Sequence, residues 1–169
     1  MDLNLFSHIL REIRTVYAPW ELNDISFATY NEPNLDDTFI EKLQLVTGMG
    51  FQYEHISNGS MITTELTDFL IKYPQNIKNF RLNIPTLDEK KWKDITGASL
   101  AVMYRMFYQL EYLFSRSSQL NFKITVIVNG DGGEDHKLEF QKVYQKFAHY
   151  KGINPVSYTH LTLPTIYSV

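Results

Sequence analysis

Four short apolar runs, each followed by a stretch of helical periodicity, constrain this chain more than any other feature. Residues 24–29, 51–57, 77–84 and 122–128 are rich in β-branched and aromatic side chains and read as strands. In the third, Phe80, Leu82 and Ile84 alternate with Arg81 and Asn83. Helical spacing links Phe6, Ile9, Leu10, Ile13 and Tyr17, with Asp2 placed to cap that helix. It recurs in Phe39, Ile40, Leu43 and Val46, where Gly48 is expected to end the helix in the left-handed region. Thr63 or Thr64 opens a helix marked by Leu66, Phe69, Leu70 and Tyr73 and stopped by Pro74. A short helix over 88–96 leads through Gly97 into a longer one carrying Leu100, Met103, Tyr104, Phe107, Leu110 and Phe114. Phe140, Val143, Tyr144 and Phe147 mark the last. The order α-β-α-β-α-β-α-β-α, with short connections, predicts an α/β fold with four parallel strands and flanking helices. Four such strands make an open sheet and cannot close a barrel.

Composition narrows the function classes. The 169 residues carry a formal charge of −3 and a pI near 5.9, and no Lys/Arg-rich run gives a nucleic-acid footprint. Asp2, Arg11, Glu12 and Arg14 interrupt any apolar leader near the N-terminus. The apolar stretch 100–114 contains Arg105 and Glu111 and is too short to span a bilayer. A cytoplasmic protein is the resulting expectation. The chain has no cysteine, which excludes disulfides and removes the usual ligands of iron–sulfur clusters.

Right-handed crossovers place the carboxyl ends of all four strands on one rim, where α/β folds hold their ligands. Four loops follow these ends: residues 30–36, 58–60, 85–87 and 129–133. They collect Asn, Gly, Glu and Ser. Turns use these residues for their own geometry, but Asn and Gly also turn backbone groups toward a ligand.

Ile25-Ser26-Phe27-Ala28-Thr29-Tyr30-Asn31-Glu32-Pro33 resembles the strand and Gly-Gly-Glu-Pro corner of the radical S-adenosylmethionine (radical SAM) enzymes. Downstream, Ile56-Ser57-Asn58-Gly59-Ser60-Met61-Ile62-Thr63 is similar to that family's strand followed by Thr-Asn-Gly and a helix start. Arg81-Leu82-Asn83-Ile84 resembles its fourth strand, the segment 88–97 its following helix, and residues 124–129 its fifth strand. The likeness covers residues 1–150 in the family's order. It implies a partial TIM-like (β/α) barrel over residues 1–154, with the first and last strands missing. It also implies a cofactor site: Tyr30, Asn31, Glu32 and Pro33 near the methionyl group, Asn58 and Asn83 near ribose or carboxylate, and Asn129 near adenine. Glu32 would receive the cationic amino group or brace the loop that does. In an intact homologue the resemblance implies S-adenosylmethionine and a 4Fe–4S cluster, an electron donor, and radical chemistry on a substrate that the sequence does not identify.

Two departures stand out. Tyr30-Asn31 replaces the Gly-Gly pair, and the cluster-binding Cys-x3-Cys-x2-Cys has no counterpart here. The segment 2–16 resembles the helix that follows the cluster loop, so Met1 is expected to be an internal methionine, with strand and cluster loop upstream. At the other end, Val156-Ser157-Tyr158-Thr159-His160-Leu161-Thr162-Leu163-Pro164-Thr165 can be reverse-translated into the transposon adapter of shotgun sequencing libraries. Residues 155–169 are therefore expected to be a non-native, adapter-derived tail and are left out of the fold expectation. Two other readings stay open: a cluster-less binding or scaffold module of the same fold, and an unrelated α/β enzyme that binds a nucleotide or phosphate on its rim.

Other motifs carry less. Gly48-Met49-Gly50 follows a helix and is no dinucleotide loop. His8, His55, His136 and His149 share no metal-ligand spacing, and His55 is expected to be a core or barrel-facing histidine.

Overall fold

The computed structural model describes residues 1–17, 24–27, 32–130 and 133–159. Five parallel strands form one sheet in sequential order: β1 (Asp24–Phe27), β2 (Gln52–Ser57), β3 (Ile77–Asn83), β4 (Ile124–Gly130) and β5 (Ile153–Thr159). Helices α1 (Leu3–Tyr17), α2 (Phe39–Gly48), α3 (Thr64–Lys72), α4 (Glu89–Thr96), α5 (Leu100–Ser115) and α6 (Glu134–Phe147) precede and join them. Sequential parallel order with same-handed crossovers sets the helices on one face of the sheet, as in an open section of a (β/α) barrel.

The fifth strand corrects the expected count of four. Residues 155–159, read from the sequence as the start of a non-native tail, pair with β4 in the register Val126↔Pro155, Val128↔Ser157 and Gly130↔Thr159. Pro155 brings no N–H to the ladder, and an edge of the described sheet is where a strand proline is tolerated. The polar sequence Asn154-Pro155-Val156-Ser157 hides this strand from a search for apolar runs.

Capping follows the expected residues in most places. The Asp2 carboxylate accepts from the Asn4 and Leu5 amides at 2.7 and 3.1 Å. Thr63 Oγ1 accepts from the Leu66 amide, and Asp88 Oδ1 from Lys90 and Lys91. Gly97, at φ 69°, closes α4 in the left-handed region. Gly48 departs from expectation: it is the last residue of α2, and the left-handed residue is Gly50, at φ 76°.

One contiguous core fills the space between sheet and helices. From the strands it takes Tyr53, Phe80, Leu82, Ile124 and Val126; from the helices, Leu10, Leu43, Leu70, Trp92, Met106, Leu110 and Phe147. Ile77 and Phe80 both face this core although they are three residues apart. A bulge makes that possible: Tyr53 pairs with Ile77 but Glu54 pairs with Asn79, so Lys78 is the extra residue. Lys78 turns outward and meets Asp24 at the start of β1.

The opposite face of the sheet carries the alternate residues. Ser26, Glu54, Asn58, Arg81, Asn83, Thr125 and Asn154 are exposed or half-buried there. A parallel sheet normally has both faces covered by apolar layers. Here that face is open and mixed, its polar residues standing beside half-buried Ile56, Ile127 and Val156.

Candidate functional site at the strand ends

Past β1 the chain re-enters at Glu32, which caps a single 3-10 turn, Pro33–Leu35. Pro33 is buried at the first position of that turn, where its fixed φ suits and its missing N–H costs nothing. The Glu32 carboxylate then crosses to the end of β2. Ser57 Oγ donates to Oε1 at 2.7 Å, the Asn58 amide donates to Oε2 at 2.7 Å, and the Asn34 amide donates to Oε1 at 3.3 Å.

Ser57 completes the junction from the other side. Its hydroxyl accepts from Asn34 Nδ2 and from the Gly59 amide, each at 2.9 Å, while donating to Glu32. One donor and two acceptor positions are all a hydroxyl has, and all three are used. The Ser60 amide donates to Asn58 Oδ1 at 2.9 Å. Three successive backbone amides, at positions 58, 59 and 60, are thus each held by a side-chain oxygen. Gly59 sits at φ 81° against Met106 and Leu110 of α5, so the turn is also seated on the core.

Asn58 and Asn83 stand side by side at this rim. Ser57 pairs with Leu82, and each asparagine is the next residue along its strand. Asn58 is exposed and Asn83 half-buried, and the Asn83 side chain makes no hydrogen bond among the described residues. Two residues deeper on the same face, Arg81 is exposed and unpaired among the described residues, beside Thr125 in the ladder. The arrangement offers amide donors and acceptors at the mouth and a guanidinium behind them. That set suits hydroxyls and a carboxylate or other anion.

Of the residues the sequence nominated, Glu32, Pro33, Asn58 and Asn83 come together at two adjoining strand ends and the next. Tyr30 and Asn31 lie outside the described residues. Asn129 is placed by its backbone alone, opposite Tyr158 near the end of β4. Ser57, Asn34 and Arg81 were not singled out from the sequence. A serine at the last position of a strand carries no distinctive signal until its partner 25 residues away is known.

Behind the rim, between the starts of α2 and α3, lies a cavity of about 280 Å³ lined by Asn34, Asp36, Phe39, Met61, Glu65 and Leu66. Burial, the largest single influence, would raise the Asp36 carboxyl. Hydrogen bonds from the Lys42 ammonium and from the Thr38 hydroxyl and amide outweigh it together and hold the group down at about 2. Asp36 is thus already neutralised by Lys42. Among the described residues no group of three or more His, Asp or Glu side chains is placed to hold a metal ion, and no helix is long and apolar enough to cross a membrane.

No protein-family model matches the sequence, and no curated protein sequence does. Solved structures do match in shape. The structure of TYW1 with a lysine-pyruvate adduct bound superposes with a TM-score of 0.56 at 17% identity, over 95% of this chain and 53% of that one. The crystal structure of archaeal TYW1 gives a TM-score of 0.53 at 16% identity, over 85% of this chain and 50% of that one. The chain spans about half the length of these structures. At such identity the likeness is one of fold alone: this sheet and its helices share the architecture of those structures, as an open section rather than a closed barrel.

Proposed function

We propose that this chain is part of a radical S-adenosylmethionine core, and that its strand-end rim binds S-adenosylmethionine without itself supplying the cluster chemistry. The observation that carries this reading is the junction of the Glu32-Pro33 corner with the end of β2. It brings that corner into one rim with the Asn58 and Asn83 amides in a fold shared with TYW1. Tyr30, Asn31 and Asn129 complete the proposed cofactor contacts.

The 4Fe–4S cluster does not fit the residues present. Thiolates are its usual ligands, and the chain has none. In a cluster-bearing homologue the cofactor's cleavage, its electron donor and its substrate would depend on parts this chain does not contain. What these residues can do is orient: the Asn58 and Asn83 amides toward ribose hydroxyls or carboxylate, and Arg81 as a cation facing a carboxylate. A cluster-less binding module of the same fold would use the rim in the same way.

The phosphate-binding alternative loses its best loop. A phosphate is commonly held by successive backbone amides in a turn after a strand. The amides at 58, 59 and 60 are already committed to Glu32, Ser57 and Asn58.

Isothermal titration with S-adenosylmethionine and with ATP tests the proposal. The reading expects S-adenosylmethionine to bind at least about tenfold more tightly, a difference of about 1.4 kcal/mol. Preference for ATP, or no binding of S-adenosylmethionine, overturns it.

A further inference from the structure

We propose that Glu54 and Arg81 form a second binding site on the open face of the sheet. Its ligand is a small zwitterion, an α-amino acid with an apolar side chain. The inference goes beyond the cofactor reading of the rim and stands on a different pair of residues.

The register sets this pair. Glu54 is opposite Asn79 and Ile56 is opposite Arg81, so Glu54 and Arg81 sit one strand apart and two residues along, on the same face. Strand spacing and rise put their backbones about 8 Å apart. Both belong to inner strands of a parallel sheet, where apolar residues are the rule. Glu54 is half-buried and Arg81 exposed, and neither side chain has a hydrogen-bond or ion-pair partner among the described residues. Lys78, which feels Glu54 electrostatically, is bonded to Asp24 instead. Two unlike charges thus share one opening without closing on each other. An α-amino acid carries the complement: a carboxylate for the guanidinium fork and an ammonium for the glutamate. Ile56 fills the corner between the two charges, and Ile127 stands one row up, beside Asn83. The floor under the ligand's side chain is therefore apolar.

Depth separates this site from the rim. Glu54 precedes Asn58 by four residues, about 13 Å along the chain, and Arg81 precedes Asn83 by two, about 7 Å. The Glu32–Ser57 junction lies at the level of Asn58. A cofactor spread between that corner and the two asparagines leaves the space over Glu54 unfilled. Arg81 stands between the two levels. Its guanidinium senses a cofactor at the rim and pairs with the carboxylate of the deeper ligand, whereas Glu54 serves the deeper ligand alone.

The side-chain NMR signals of Glu54 and Arg81 in the whole labelled chain test the site, with L-leucine as the probe. Two analogues each lack one charge: isocaproate has no ammonium and isoamylamine no carboxylate. Leucine should shift both signals saturably and bind at least about tenfold more tightly than either analogue, for the one charge-assisted contact that each lacks. Glu54→Gln should weaken leucine about tenfold and leave isocaproate unchanged, while Arg81→Gln should weaken both. Saturating S-adenosylmethionine should leave the affinity for leucine within about twofold, as for two separate sites. No saturable binding of leucine, or isocaproate binding as tightly as leucine, overturns the proposal. So does competition between leucine and S-adenosylmethionine, which would make the pair part of the cofactor's own methionyl contact. If leucine binds and S-adenosylmethionine does not, the cofactor reading fails and this site stands.

Discussion

The imidazole of His55 lies 4.7 Å from the ring of Phe80, tilted by 31°, and neither of its nitrogens has a hydrogen-bond partner among the described residues. Phe39 covers its other side at 5.2 Å. A polar ring has been placed in an aromatic layer of the core. Burial disfavours the imidazolium and pushes its pKa down to about 3 from 6.5.

The folded state therefore resists protonating His55 while the unfolded chain takes a proton below pH 6.5. Stability is unaffected by this group above that pH and falls as pH drops from 6.5 toward 3, by up to about 1.4 kcal/mol per unit. His55→Phe should remove this part of the acid sensitivity. By relieving two orphaned nitrogens it should also stabilise the protein at pH 7 by about 1–3 kcal/mol. Urea melts at pH 7 and pH 5 give both numbers; an unchanged pH dependence in the variant would show that His55 is not the group responsible.

Lys42 and Asp36 form an unequal pair. The lysine side chain is 4% exposed and lies over the Phe6 ring, whereas the aspartate is 37% exposed. Asp36→Asn strands a buried ammonium, while Lys42→Met leaves a carboxylate that water can reach and puts an apolar chain on Phe6. Denaturant melts should find Asp36→Asn the more destabilising of the two. The Asp36 contribution is present above pH 3.8 and is lost as pH falls toward 2.

Two left-handed glycines separate strain from crowding. A Cβ on Gly97 would meet nothing within 4 Å, so Gly97→Ala should cost only the backbone term, about 1–2 kcal/mol. On Gly152, at φ 91°, a Cβ would stand 3.2 Å from the Ser117 carbonyl oxygen, at the entry to β5. Gly152→Ala should therefore lower the melting temperature further than Gly97→Ala, and the reverse order would contradict the placement of β5.

Anaerobic treatment with iron and sulfide should leave the protein colourless, because no thiolate is available. The visible absorption of a bound 4Fe–4S cluster would contradict that prediction.

The sequence was most readable where local chemistry decides the structure. Asp2, Thr63, Asp88 and Gly97 act at helix ends through neighbours two to four residues away, and they do what their types suggest. Period also located the first four strands. It could not reveal the bulge at Lys78, which exists only because Glu54 pairs with Asn79 across a different strand. It does not reveal β5, whose polar residues break the apolar run and whose Pro155 argues against a strand. At the rim, Glu32 and Asn58 were visible as loop residues at strand ends. Ser57 and Asn34 were not, since their meaning lies in bonds spanning 23 to 26 positions. Asn154, Arg81 and Thr125 share a row that only the register discloses.

The most direct measurement is a titration of the isotope-labelled protein with S-adenosylmethionine, following the side-chain amide signals of Asn58 and Asn83 and the Arg81 guanidinium by NMR. The account predicts saturable shifts at all three, with the His55 layer and the α3–α5 surface unmoved. Shifts confined to the helical side of the sheet, or none at the Asn58–Asn83 pair, would contradict it.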